Sequence, residues 1–218
     1  MKMSLDMEKA LPNLNHLEEM LTNKGYSAIC GVDEVGRGPL AGPVVAAAVI
    51  LPFDTEIDGL DDSKKLTRLQ REQVFEKIAD LGLVCAVGAI DNEDIDRMNI
   101  HRASLMAMRK AVQDLSQTPD FILVDGNFAV PNISQPQFAV VSGDARCRCV
   151  AAASVVAKVV RDSMMDKMQS LYPAFSFSKH KGYPTQAHLE ELKLHGPCEI
   201  HRKSFKPVAD LLEEYTLA

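Results

Sequence analysis

The sequence predicts one α/β domain in which a mixed β-sheet is flanked by helices and followed by a helical C-terminal appendage. Short apolar segments rich in β-branched residues alternate with longer segments whose apolar residues recur at helical intervals. Their order is β-β-α-β-α-β-β-α, and two more helices follow, which is typical of a mixed sheet with helices on its faces. The 218 residues, 46% of them hydrophobic, are enough to bury a core without disulfides or structural metals.

Each predicted strand is a short apolar run bounded by turn-forming residues. The strands are expected at residues 28–33, 44–51, 83–90, 121–124 and 137–141. Between the first two strands, residues 36–43 contain three glycines and two prolines, which excludes regular secondary structure there.

The predicted helices have apolar residues at helical spacing. They are expected from Thr67 to a stop at Gly82, and over residues 91–115, 149–171, 185–194 and 205–215. Thr67 and Gln70 have the spacing of a capping box, which supports a helix start at that point. Residues 179–183 are expected to form a basic loop.

Composition narrows the class of protein. The formal net charge is −6, but residues 142–206 hold eleven Lys and Arg against six Asp and Glu. A basic face that binds a polyanion is therefore compatible with the negative net charge. Five scattered cysteines are typical of free thiols in a reducing compartment. No apolar run is long enough for a bilayer, and residues 1–24 lack the apolar core of a signal peptide. We therefore expect a cytoplasmic protein without membrane contact.

Carboxylates follow three predicted strands where each strand ends. Asp33 and Glu34 follow the first strand, Asp125 the fourth and Asp144 the fifth. Ligands of open α/β sheets bind beyond such strand ends, although a single Asp there is more often a turn former. Four carboxylates at one edge repel one another unless cations neutralise them, and oxygen ligands suit Mg²⁺ or Mn²⁺. Because adjacent strand residues face opposite sides, Asp33 and Glu34 share one metal only if the strand ends or bulges there.

The segment Gly36-Arg37-Gly38 lies between the first two strands. Its glycine spacing differs from a dinucleotide fingerprint, and it lacks the Gly-Lys-Ser/Thr of a P-loop. Two interpretations stay open: a loop whose backbone approaches a ligand closely, and a tight connection between two strands.

Seven segments, in order, resemble the signature of the ribonuclease HII family, the bacterial type 2 ribonucleases H. They are GVDEVGRGPLAGPVV at 31–45, LDDSKKL at 60–66, VDGN at 124–127, GD at 143–144, AAASVVAK at 151–158, HKGYPT at 180–185 and HRKSF at 201–205. The resemblance covers about residues 26–208. It implies a catalytic domain over residues 26–218 that includes the C-terminal helices, preceded by an N-terminal extension over residues 1–25.

The resemblance implies an RNase H-like fold and an endonuclease, EC 3.1.26.4. Such an enzyme cuts the RNA strand of RNA–DNA hybrids and incises at ribonucleotides embedded in duplex DNA, leaving 5′-phosphate and 3′-hydroxyl ends. Its catalytic metal ligands correspond to Asp33, Glu34, Asp125 and Asp144, for one or two Mn²⁺ or Mg²⁺ ions, the second arriving with substrate. Two such ions activate water and stabilise the leaving oxygen, so no histidine base is required. We expect the enzyme to act as a monomer.

The resemblance also implies substrate-binding residues. Gly36, Arg37 and Gly38 correspond to the loop that senses the 2′-OH at the RNA–DNA junction, and Tyr183 corresponds to the substrate-sensing tyrosine. A 2′-OH is the one feature that separates RNA from DNA at a single sugar, so a backbone-lined loop is a suitable reader.

Three polar residues form a stripe on the predicted helix 149–171. Ser154, Lys158 and Arg161 lie at positions i, i+4 and i+7, and we include all three among the substrate-binding candidates. Lys158 and Arg161 are candidates for contacts with backbone phosphates, and an ordinary solvated helix face is the alternative. The chain has Ser142 where family members commonly have Lys before the Gly-Asp pair.

Two alternative functions are weighed against this one. A type HIII ribonuclease shares the chemistry, but that family usually carries an extra N-terminal substrate-binding domain, and only about 26 residues precede the signature here. A non-catalytic hybrid-binding module is disfavoured because four anions would then face a phosphate backbone.

Overall fold

The structure, a computed structural model, describes residues 16–217. Five strands form one mixed sheet in the order β3-β2-β1-β4-β5. They are β1 (Ile29–Val35), β2 (Val44–Ile50), β3 (Cys85–Ile90), β4 (Phe121–Asp125) and β5 (Gln137–Val140). β1, β2 and β3 pair in antiparallel fashion, whereas β4 and β5 run parallel to β1. The predicted fold class is confirmed, and each predicted strand is present within two residues of its expected bounds.

Helices cover both faces of this sheet and form the C-terminal appendage. They are α1 (His16–Thr22), α2 (Arg68–Asp80), α3 (Asn92–Met98), α4 (Ile100–Gln113), α5 (Arg148–Leu171), α6 (Phe177–His180), α7 (Gln186–His195) and α8 (Lys206–Leu217). The capping box at the start of α2 is confirmed, because Thr67 and Gln70 each accept a backbone N–H of the other. None of the helices in this part of the chain is long and apolar enough to cross a membrane.

The prediction of one long helix over residues 91–115 is wrong. Asn99 separates α3 from α4 with a φ of 75°, a backbone conformation that ends a right-handed helix and that Asn tolerates better than most residues. The Asn99 side chain then accepts the N–H of Arg102 at 3.1 Å and caps the start of α4. The apolar periodicity continues across this break, which is why it suggested one helix.

Glycines allow the helices to lie directly on the sheet. A Cβ atom on Gly31 of β1 would lie 2.0 Å from the backbone carbonyl carbon of Cys149 in α5. On β3, a Cβ atom on Gly88 would lie 2.2 Å from the carbonyl oxygen of Ala107 in α4. Such distances are far inside van der Waals contact, so no larger residue fits without movement of the backbone. The contact at Gly31 fixes the start of α5 against the strand that carries Asp33 and Glu34.

α1 belongs to the packed body of the protein. Leu17 and Leu21 are buried in the core beside α5, and the Glu18 carboxylate accepts the backbone N–H of Cys149 at 3.1 Å. The Glu18 side chain thereby satisfies one of the free amides at the start of α5. Residues 1–15 of the predicted extension lie outside the described residues, and the domain division after residue 25 stays a prediction.

The C-terminal appendage has its own small core. It is formed by the following buried side chains: Leu40, Ala41, Met165, Phe175, Phe177, Leu192 and Val208. The predicted basic loop at 179–183 is partly wrong, because Lys179 and His180 end α6 and the turn begins only at Lys181 and Gly182, with φ of 52° and 83°. Lys181 is buried and paired with Asp166, so it is not a free basic side chain. All five cysteines are free thiols, as predicted.

Candidate active site

Three neighbouring strands deliver carboxylates to one edge of the sheet. β1, β4 and β5 are adjacent and parallel, with Val32 opposite Val124 and Asp125 opposite Val140. Asp33 follows Val32, and Asp144 lies in the single 3₁₀ turn Gly143–Ala145 beyond β5. The structure therefore brings the predicted acidic residues together at the carboxyl ends of these strands, where open α/β sheets bind ligands.

The strand β1 stays regular at the two acidic residues. Asp33 pairs with Ala47 and Glu34 with Ala46, without the bulge that would turn both side chains to one side. The two side chains therefore leave the strand in opposite directions. Asp33 is buried inside the cluster, and Glu34 lies at its margin with Arg37 Nη1 at 3.0 Å from Glu34 Oε1.

Each carboxylate has a hydrogen-bond donor from the protein. Asp33 Oδ1 accepts the Glu34 N–H at 2.7 Å, and Asp125 Oδ1 accepts the Gly143 N–H at 2.6 Å. The ammonium group of Lys64 lies 2.6 Å from Asp144 Oδ2, which raises the pKa of Lys64. Lys64 lies in the loop before α2 and was not among the predicted site residues. Its one signal in the sequence is its place in the segment at 60–66 that resembles the family signature.

Burial and mutual repulsion perturb the acids of the cluster. Desolvation raises the pKa of Asp33 well above its usual value, and the charges of Asp125, Glu34 and Asp144 raise it further. Desolvation likewise raises the pKa of Asp125, with Asp144 as the next cause. A hydrogen bond with Ser154 favours the ionised form of Asp33 and only partly offsets these effects. The cluster thus carries more negative charge than its protein donors neutralise.

The donor set fits a hard divalent cation. Carboxylate oxygens are the ligands that Mg²⁺ and Mn²⁺ prefer, and the excess negative charge favours a cation. Within residues 16–217, no three carboxylate, imidazole or thiol groups stand close enough around one point to form a complete cage. Two of the four carboxylates are instead paired with protein cations, Asp144 with Lys64 and Glu34 with Arg37.

Two buried arginines bind the inner side of residues 36–43, the glycine-rich loop between β1 and β2. Arg202 donates to the carbonyl oxygens of Gly36 and Arg37 at 2.6 and 3.0 Å, and also to the carbonyl of Gly42. Arg161 donates to three more carbonyls, those of Ala41, Pro43 and Lys181. Both side chains are fully buried, and burial together with the neighbouring Arg161 lowers the pKa of Arg202 to about 9.

This arrangement determines which way the loop amides point. In a trans peptide the N–H points opposite to the C=O, and the described chain has no cis peptide. Because the Gly36 and Arg37 carbonyls point inward to Arg202, the N–H groups of Arg37 and Gly38 point away from it. The loop therefore presents two consecutive amide donors on its outer side, next to the ring of Tyr183, which lies 3.9 Å from a Cβ atom placed on Gly38.

Two of the three residues in the stripe on α5, Ser154 and Arg161, do not face the solvent as substrate-binding residues would. Arg161 does not reach a phosphate, because its guanidinium group is fully buried and engaged by backbone carbonyls. Ser154 is buried as well, with its hydroxyl 2.8 Å from that of Ser63, and it contacts Asp33 rather than solvent. Only Lys158 stays accessible, with its ammonium 5.8 Å from the centre of the Tyr183 ring and paired with Asp162 at 2.8 Å.

One family model and several sequence relatives match this chain over most of its length. The model of the family described as ribonuclease HII matches residues 30–208. The ribonuclease HII of Bacillus subtilis (strain 168) is 50% identical over 205 residues, which cover 92% of this chain and 80% of that protein. The ribonuclease HII of Idiomarina loihiensis is 53% identical over 184 residues, which cover 84% of this chain and 98% of that protein.

Solved structures resemble the fold. The crystal structure of the ribonuclease H2 from Pyrococcus horikoshii OT3 matches with a TM-score of 0.72 at 26% identity, covering 87% of this chain and 99% of that one. The crystal structure of Bst-RNase HIII in complex with Mn²⁺ matches with a TM-score of 0.65 at 19% identity, covering 88% of this chain and 71% of that one. The second likeness concerns the fold alone.

A mixed sheet of this topology with acids at its parallel strand ends defines a nuclease of the ribonuclease H class. The two sequence relatives and the family model make the assignment narrower. The chain belongs to the ribonuclease HII family. Members of this family are ribonuclease H endonucleases, which act on RNA–DNA hybrids, so the chain is an enzyme of that kind.

The raised pKa of Asp33 predicts how stability depends on pH in the absence of metal. Because the folded state holds this proton more tightly than the unfolded chain, the free energy of unfolding should fall as pH rises from the unfolded value near 4 through the raised folded value. Asp33→Asn removes that charge. In EDTA, urea denaturation should find the variant more stable than wild type at about pH 8, and the difference in the free energy of unfolding should narrow steadily toward about pH 4. A stability difference between variant and wild type that does not change with pH would contradict a raised pKa for Asp33. His201, whose pKa is lowered to about 4, makes a pH-dependent contribution of opposite sign, but both proteins contain it and it cancels in the difference.

Proposed function

We propose that the enzyme incises at single ribonucleotides embedded in duplex DNA, in addition to cutting RNA–DNA hybrids, and leaves 5′-phosphate and 3′-hydroxyl ends. The observation that carries this proposal is the pair of outward amides at Arg37 and Gly38, held by Arg202 beside the Tyr183 ring. A site that can hydrogen-bond one hydroxyl discriminates strongly against a sugar that lacks it, since its polar groups would then stay unpaired. Two adjacent amides and one ring contact a single sugar and its neighbour, so one ribonucleotide is enough for recognition.

The four acidic residues are proposed to hold one or two Mg²⁺ or Mn²⁺ ions, the second together with substrate. Asp33 and Asp144 provide buried oxygens and Asp125 a half-buried one. Glu34, on the opposite side of β1 from Asp33, provides an oxygen for a second ion rather than for an ion shared with Asp33. Divalent ions at such a site supply an activated water and stabilise the leaving 3′-oxygen. Supporting this assignment is the repulsion within the cluster, which a bound cation would relieve.

The protein's own groups are proposed to place the scissile phosphate. The amides of Arg37 and Gly38 contact the ribose 2′-OH, and the Tyr183 ring packs against the neighbouring sugar. Lys158 is close enough to the Tyr183 ring to contact a backbone phosphate beside it. These contacts hold one ribonucleotide with its phosphate at the carboxylates, and positioning of this kind lowers the barrier of an in-line displacement.

Cleavage of a DNA duplex that contains one ribonucleotide tests the proposal directly. The protein is incubated with this duplex and Mg²⁺ or Mn²⁺, and the cut position and end groups are mapped. We expect one cut at the ribonucleotide, with a 3′-hydroxyl on one product and a 5′-phosphate on the other. An all-DNA duplex of the same sequence should stay intact. Cleavage of a long RNA–DNA hybrid without cleavage of the single-ribonucleotide duplex would contradict the proposal.

Asp125→Asn should abolish cleavage while the protein stays folded. The amide keeps the shape of the side chain but removes one negative charge from the ion site, which should cost at least about 10³-fold in rate. Binding to an uncleaved hybrid should be kept or strengthened, because the phosphate meets less repulsion. Initial rates at saturating Mg²⁺ and at Mn²⁺, with binding measured by fluorescence anisotropy, check both parts. Retained activity would make Asp125 only a turn residue at the end of β4.

Tyr183→Ala should slow cleavage of the single-ribonucleotide duplex while folding and metal binding persist. We expect a loss of about 10-fold to 100-fold, because the ring no longer fixes the sugar beside the junction. Gly38→Val should have a similar effect, since its branched side chain would stand beside Tyr183 on the outer side of the loop. Initial rates on this duplex and on a long RNA–DNA hybrid are compared. If Tyr183→Ala leaves both rates unchanged, junction recognition lies elsewhere.

A further inference from the structure

Three buried histidines form a cluster behind Tyr183, joined by one stacking contact and one hydrogen bond between their rings. The rings of His180 and His188 stack with their centres 4.1 Å apart, and Nε2 of His188 lies 3.1 Å from Nε2 of His201. All three imidazoles are buried. They lie on three successive elements, α6, α7 and the segment before α8, and their contacts hold these elements together.

The partners of each ring determine its protonation. His201 Nδ1 accepts the backbone N–H of Cys198 at 3.0 Å, so its proton is on Nε2 and is donated to His188. His188 Nε2 is therefore an acceptor, and its Nδ1–H donates to the carbonyl oxygen of Tyr183 at 2.9 Å. His180 Nδ1 accepts the N–H of Gly182 at 3.1 Å, which leaves its Nε2–H for Glu191 at 3.0 Å. All six ring nitrogens are engaged, and each ring is neutral in one tautomer.

The surroundings of the cluster favour the neutral state. The aromatic rings of Phe175 and Phe177 pack on His188 and His201. Desolvation lowers the pKa of His188, and desolvation together with His188 lowers that of His201 to about 4. The titratable groups that face the rings are Glu191 on α7 and Cys198, whose own pKa is raised to about 11 by burial. A second proton between the two Nε2 atoms would set two donors against each other and break the link.

The engaged ring nitrogens exclude two other roles. Each imidazole nitrogen that could ligate a metal already accepts or donates a hydrogen bond within the protein, so no lone pair is free. Cys198 Sγ lies 3.1 Å from His201 Nδ1, but that nitrogen also takes the Cys198 N–H, and the raised pKa of the thiol opposes nucleophilic chemistry. The cluster is therefore suited to hold backbone in place.

The backbone that the cluster holds is the part that meets the glycine-rich loop. The carbonyl of Gly182, next to Tyr183, accepts the N–H of Leu40 at 2.8 Å, and Gly182 lies so close to Ala41 that a Cβ atom would be 2.6 Å from its carbonyl oxygen. On the other side, Arg202 follows His201 directly and donates its N–H to the carbonyl of Leu40. A shift of either histidine would thus move Tyr183 relative to the loop amides.

We propose that His188 and His201 are positioning residues that set the distance between Tyr183 and the amides of Arg37 and Gly38. The proposal rests on the proposed recognition of a ribonucleotide by those groups. His201 accepts the N–H of Cys198 and donates to His188, and His188 donates to the carbonyl of Tyr183. Tyr183 is thereby held at a fixed position relative to Cys198 and to Arg202, the residue after His201. The same carbonyl also accepts the Thr185 N–H at 2.8 Å. The pair does not touch the substrate.

Two substitutions at His201 separate its two hydrogen bonds. His201→Asn keeps an acceptor for the Cys198 N–H but is too short to donate to His188. His201→Gln places an amide N–H near the former Nε2 and keeps the donation to His188, while the bond to Cys198 is lost. His195→Asn, at an exposed residue that ends α7, serves as the matched control. Circular dichroism and Mn²⁺ titration establish that each variant folds and binds metal.

The kinetic result expected is a selective one. His201→Asn should lower kcat/KM on the single-ribonucleotide duplex by about 10-fold to 100-fold, as a displacement of about 1 Å would. His201→Gln should recover most of this loss, and His195→Asn should match wild type. In a double-mutant cycle, His201→Asn should add nothing once Tyr183 is Ala, because both act through one contact. Losses that multiply, or a His201→Gln variant no better than His201→Asn, would overturn the proposal.

A spectroscopic measurement covers the case in which the variants fail to fold. Imidazole ¹⁵N shifts of the wild-type protein near pH 7 should show protons on Nε2 of His180 and His201 and on Nδ1 of His188. A protonated ring or another tautomer would overturn the proposal without any activity assay.

If wild type does not cleave the single-ribonucleotide duplex at all, the proposed function fails. If Tyr183→Ala impairs that cleavage and His201→Asn does not, only the role of the histidines fails.

Discussion

The accumulation of negative charge at one sheet edge is the constraint on which the rest of this structure depends. Parallel pairing of β1, β4 and β5 forces their carboxyl ends together, and these ends carry Asp33, Asp125 and Asp144. Burial makes the repulsion stronger, since water screens it less. Lys64 and Arg37 offset part of it by pairing with two of the four acids. The remaining negative charge favours the binding of a cation at this edge.

A second electrostatic feature lies beside the first and has the opposite sign. Arg161 and Arg202 are buried cations whose donors are satisfied by backbone carbonyls, and this arrangement aims the loop amides outward. One helix links the two features. α5 brings Ser154 against Asp33 and, two turns later, Arg161 against the glycine-rich loop. Because Gly31 lets α5 lie directly on β1, the distance between the acidic sheet edge and the glycine-rich loop is set by close backbone packing.

Sequence patterns were sufficient for the fold class, the strands and the placement of the acids at strand ends. Apolar alternation and turn residues identify each strand, and parallel neighbours then bring their ends together. They were not sufficient at Asn99, where the backbone turns without interrupting the apolar pattern. Nor could they show that Arg161 points inward, since a stripe at helical spacing has the same appearance whether it meets solvent or carbonyls. The histidine cluster depends on how α6, α7 and the segment before α8 pack together, and its only signal in the sequence was the presence of His180 and His201 in the segments that resemble the family signature.

Calorimetric titration of Mn²⁺ into the metal-free protein tests the central claim, that the strand-end acids form a cation site, most directly. Titrations near pH 6, in two buffers with different ionisation enthalpies, also count the protons released. The account predicts saturable binding with net proton release, because the cation displaces a proton from the cluster in which the pKa of Asp33 is raised. A variant with both Asp33 and Asp125 changed to Asn should bind far more weakly. Absence of binding, or equal binding by that variant, would contradict the account.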